Sequence, residues 1–193
     1  MTLTKILSIV FLLGALGLGF MLYKSVDDVM QEEKRIAATE SRIIEKLQML
    51  RDAQIAYIAT NGEYAGNWED LRKFIEEGKI WLVQRREETK LLAYGKEETT
   101  VFFDTLGSVN VMDSLFNERR YPNFNIENVN IVPGSGGKEF EFFADKVERS
   151  QREIGVFEIR DPDPINPKRR ANNKEKALRV GSRTDSSTSG NWE

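Results

Sequence analysis

The sequence predicts an α+β fold: one long N-terminal helix, first a membrane anchor and then an amphipathic stalk, packed on a mainly antiparallel sheet. Three observations predict it. Residues 6–23 (ILSIVFLLGALGLGFMLY) carry no charge. Residues 24–60 contain neither Pro nor Gly. From Ile80 onward the apolar period shortens from that of a helix to that of a strand.

Charge divides the 193-residue chain in the same places. Residues 24–160 hold 20 basic and 26 acidic side chains; residues 161–193 hold 7 and 5. There is no Cys and no His, which excludes disulfides, thiolate zinc sites, cysteine nucleophiles and Ser-His-Asp triads within one chain.

The run 6–23 spans about 27 Å as a helix, enough for a hydrocarbon core of about 30 Å with Lys5 and Lys24 snorkelling. It is longer than the apolar region of a signal peptide and exits through Met21-Leu22-Tyr23-Lys24 with no small-residue cleavage site. Residues 1–5 are then a short cytoplasmic tail and 6–23 a single pass that leaves the rest of the chain outside, in a bacterium the periplasmic side of the inner membrane. Gly14, Ala15, Gly17 and Gly19 are the small residues through which this helix would meet another membrane helix.

Residues 24–60 read as the stalk. Val29, Ile36, Ile43, Leu50 and Tyr57 recur every seven residues, but of their companions Glu33, Glu40, Leu47 and Gln54 only one is apolar. That is half a coiled-coil seam. Val29, Ile36, Ile43 and Leu50 are the candidate contacts for a stalk partner. From Ile43 the stripe widens toward docking on a core, and Asn61-Gly62 ends the helix.

Residues 61–160 form the head. Asn67 caps a short helix whose apolar face is Leu71, Phe74 and Ile75, closed by Gly78. Strands follow at 80–85, at 99–104 and 108–112 joined by a turn at Leu106-Gly107, at 128–132, at 138–143 and at 156–160. Glu139, Glu141, Glu158 and Thr99 suggest a solvated outer sheet face. Residues 161–193 are a Pro-rich, polar and partly disordered tail with one short edge strand at 178–180. Its basic cluster, Lys168, Arg169 and Arg170 with Lys174, Lys176 and Arg179, and the near-terminal Trp192 are contacts for the head or another subunit.

The stretch Leu50-Arg51-Asp52-Ala53-Gln54-Ile55-Ala56-Tyr57, then Asn61-Gly62-Glu63-Tyr64, then Trp68-Glu69-Asp70-Leu71, follows an apolar helix that continues as an amphipathic one. This order resembles the type IV pilin and pseudopilin class, and is similar to single-pass envelope proteins of the Bacteroidota. The resemblance implies a head on a helix and no catalytic residues. Met1–Lys5 lacks the Gly-Phe prepilin junction and the apolar run has no glutamate, so filament assembly is not carried over.

The expectation is a non-enzymatic structural or interaction subunit of an envelope assembly. Its partners are the bilayer and protein subunits, a second copy among them, and no nucleic acid, metal or cofactor. The alternative is an anchored ligand-binding or sensor domain with Trp68, Trp81 and Phe102 lining a pocket.

Overall fold

The computed structural model describes residues 3–91, 97–117, 119–122, 124–149, 151–170 and 176–193. Lys174, and residues 1 and 2 of the expected cytoplasmic tail, lie outside them. The chain divides into two compact units, Met1–Arg42 and Ile43–Glu193.

The described residues of the first unit form a single helix, the beginning of α1 (Leu3–Asn61). With no Pro or Gly after Gly19, nothing interrupts its hydrogen-bond ladder until Asn61. Gly62 ends it with φ +81° and its N–H donates to the Ile58 carbonyl at 2.8 Å, the left-handed stop that Asn-Gly encodes.

The second unit is built on the last part of α1. Ile43, Leu47, Leu50 and Ala53 follow the helical period and are almost fully buried. Gln54, also buried, accepts from the Ala65 N–H (3.0 Å) and donates to the Ala65 carbonyl (3.2 Å), which fixes the loop after α1. In α2 (Trp68–Glu77) the Asn67 side chain accepts from the Asp70 N–H at 2.8 Å, while Leu71, Phe74 and Ile75 turn into the core.

Two antiparallel sheets complete the α+β fold. The first is a two-stranded ribbon, β1 (Lys79–Leu91) with β2 (Glu97–Asn110). The turn expected at Leu106-Gly107 is instead a bulge inside one continuous strand. Leu82 pairs with Gly107 and Val83 with Thr105, so Leu106 is the extra residue. Met112 belongs to a short helix, α3 (Val111–Leu115).

The strand expected at 128–132 is absent. The Asn125 side chain accepts from the Glu127 N–H at 2.8 Å and starts a 3-10 turn over Ile126–Asn128, a local hydrogen bond that competes with extended backbone. Only Ile131 bridges across, to Glu139.

The second sheet runs in the order β3 (Glu141–Arg149), β4 (Arg152–Arg160), β5 (Arg179–Ser182). Phe157, Ile159 and Val180 from this sheet, with Leu178 beside it, join the α1 and α2 side chains in one core. Gly181 sits at φ +80°, and a Cβ there would fall 2.2 Å from the Phe157 carbonyl oxygen, so the β4–β5 pairing requires glycine. The four residues assigned to one solvated face do not share it. Thr99 is in the ribbon, Glu139 precedes β3, and Glu158 is only 7 % exposed.

Candidate functional site

The described large apolar side chains between Leu7 and Tyr23 are 57–72 % exposed. Among the described residues this is the one helix long and apolar enough to cross a membrane, with a mean hydropathy of 1.4 over 18 residues. A Cβ at Gly14, Gly17 or Gly19 would meet nothing within 4 Å, and Ala15 is likewise exposed. Of these four only Ala15 and Gly19, four residues apart, lie on one face at the spacing that lets a second helix approach closely; Gly14 and Gly17 lie on the other side.

The four stalk positions fall apart. Val29 is 58 % exposed and Ile36 half-buried, both in the first unit. Ile43 and Leu50 belong to the core of the second unit, at 2 % and 0 % exposure, so they are filled by their own chain and open to no partner. One seven-residue repeat is therefore split between exposed or half-buried positions and core positions.

The chain end returns to the head. Residues 176–193, in the stretch expected to be partly disordered, supply β5, a bridge from Val180 to Gly190, and Trp192 packed half-buried against the core. The Arg51 guanidinium meets the Glu193 carboxylate at 2.5 Å. Lys168 and Arg169 lie in a 3-10 turn begun by Pro167 and capped by the Asn166 side chain (3.0 Å to the Lys168 N–H).

Arg169 and Arg170 line a cleft of about 640 Å³ with Arg160, Lys176, Arg179 and Arg183. Glu158 and Asp161 are the acids in its wall. Three of these arginines are fixed by carboxylates. Glu158 accepts from Arg179 (2.9 Å) and Arg183 (2.8 Å); Glu141 accepts from Arg183 (2.7 Å) and pairs with Arg160. Arg183 also lies over the Phe143 ring, 4.9 Å from its centroid. The Arg183 and Arg160 guanidiniums hold the Glu141 carboxyl below its ordinary range.

Opposite in charge logic is Lys46 on α1. Its ammonium donates to the Asn128 carbonyl and, at 2.6 Å, to the Ile131 carbonyl, and burial pulls its pKa down to about 8.

Trp68, Trp81 and Phe102 do not converge on a pocket. Trp68 packs on Phe142 (4.6 Å between centroids), whereas Trp81 is 58 % and Phe102 39 % exposed in the ribbon. Among the described residues no group of three or more Asp, Glu, His or Cys is placed to hold a metal ion. No protein-family model matches the chain, and neither a curated protein nor a solved structure gives a significant match.

Proposed function

We propose that the chain is a membrane-anchored, non-enzymatic subunit of a bacterial envelope assembly, with α1 in the inner membrane and the second unit presented on the periplasmic side as a protein-interaction head. The observation that carries this reading is the apolar stretch of α1, whose described large side chains from Leu7 to Tyr23 are each more than half exposed. Each such side chain gains about 1.5–3 kcal/mol on leaving water, so a bilayer is the environment that stabilises it. The resemblance of the sequence to the pilin class, an apolar helix that continues into an amphipathic one, supports the same reading.

Cross-linking in native membranes followed by affinity isolation of the full chain tests it. Recovery in covalent complexes with envelope proteins or with further copies is expected; an exclusively monomeric chain contradicts it.

The arginine-lined cleft favours a second reading, an anchored domain that binds an anionic ligand. Saturable uptake of inorganic phosphate, weakened in Arg170→Glu, would favour that one.

A further inference from the structure

The ribbon leaves more apolar surface in water than any other part of the second unit. Trp81, Val83, Phe103 and Leu106 are 51–67 % exposed, and every described side chain of 81–90 and 99–106 is exposed. A two-stranded ribbon is at best marginally stable by itself; a third strand or a covering element is what stabilises such a structure. Each strand pairs only with the other, so each has one open edge among the described residues.

The two edges differ in chemistry. The middle of β1 is Arg85-Arg86-Glu87-Glu88, with Lys90 beyond, and charged side chains are the usual protection of an edge against pairing. The middle of β2 is Thr99-Thr100-Val101-Phe102-Phe103, with no charge and five residues that favour strands. The open edge of β2 is therefore the one left able to pair.

We propose that this edge pairs with the same edge of a second copy, antiparallel, about a two-fold axis at Phe102. A two-fold axis normal to the sheet keeps faces matched, so each residue meets one an even number of positions away. Centring on Val101 sets Thr100 against Phe102 and Thr99 against Phe103, polar against apolar. Centring on Phe103 sets Asp104 against Phe102. Centring on Phe102 sets Phe102 against itself, Val101 against Phe103, Thr100 against Asp104 and Thr99 against Thr105. Apolar meets apolar, polar meets polar, and no like charges meet. The bulge at Leu106 ends the match. The product is a four-stranded sheet in the order β1-β2-β2-β1, past the two-strand limit. This deepens the interaction role above, on which it rests, by naming the partner as a second copy of this chain.

The absence of Cys from the chain makes the test clean. Opposed Cβ atoms in an antiparallel pair lie about 4.5–5.5 Å apart, close to disulfide reach. The full chain carrying Phe102→Cys, oxidised in native membranes, is expected to form covalent dimers severalfold more than Arg86→Cys on the β1 edge. Val101→Cys and Phe103→Cys chains of different tag length, expressed together, are expected to join to each other rather than to themselves. That mixed pair keeps Phe102 intact and guards against a folding defect at that position. Equal cross-linking at Arg86→Cys, adducts only with a different protein, or no dimer from either arrangement overturns the proposal. If the Cys dimers form from a chain that alkaline carbonate strips from membranes, the anchored reading fails while the pairing stands.

Discussion

The sheet β3–β4–β5 and the ribbon β1–β2 are both antiparallel and both carry large apolar residues, yet one packs on its own chain and the other faces water. In the sheet, Phe157, Ile159 and Val180 are buried against α1 and α2, and the outer face is closed by arginines bridging Glu141 and Glu158. In the ribbon, Val101, Phe102 and Phe103 face water, and the charged pairs, such as Arg85–Glu87 at 2.5 Å, are exposed on both sides. The difference lies in what each strand has to pack on, not in strand propensity. One region holds the core together; the other leaves its apolar side chains in water.

The largest effect expected from this contrast is on stability. Leu50→Ala removes a fully buried side chain from the core that supports the sheet and should cost about 2–5 kcal/mol. Phe103→Ala, in the ribbon, should stay within about 0.5 kcal/mol for the detergent-dispersed monomer. Urea unfolding of the full chain in detergent measures both; a loss at Phe103 equal to that at Leu50 would break the comparison.

Next in size is Gly181→Ala. The new Cβ meets the Phe157 carbonyl at a backbone angle that L-residues avoid, so a loss of about 1–3 kcal/mol is expected. Hydrogen exchange should show it as faster exchange at β4 and β5, with the ribbon amides unchanged.

The smallest effect is on pH dependence. The Glu141 carboxyl lies below its ordinary value in the folded chain because Arg183 and Arg160 bond to it. Its contribution is complete above the ordinary carboxylate range and is lost as pH falls through that range and below. The melting temperature of the native chain should therefore fall more steeply on acidification than that of Glu141→Gln; parallel curves would remove the network from the account.

Much of the fold was legible in the sequence because it rests on local signals. The uninterrupted α1, its Asn61-Gly62 stop and the Asn67 cap of α2 each depend on neighbours within a turn or two. What the sequence hid depends on distant partners. Leu106-Gly107 reads as a turn until the register with Leu82 and Val83 makes it a bulge. Ile43 and Leu50 look like partner contacts in the same repeat as Val29 until the head fills the space around them. Trp192 reads as a contact for the head or another subunit, and its place against the core depends on β5 pairing with β4. The arginine network was hidden for the same reason. Glu141, Glu158, Arg160, Arg179 and Arg183 lie up to 42 positions apart, and only the pairing of β3, β4 and β5 brings them together. The alternation that places Glu141 and Glu158 on one sheet face was the one signal that pointed to it.

Alkaline carbonate extraction of native membranes shows whether α1 holds the chain in lipid. A chain held by α1 should remain entirely in the membrane pellet, and Leu13→Arg with Leu16→Arg should release it. A native chain found in the carbonate supernatant would contradict the claim that the apolar part of α1 resides in lipid.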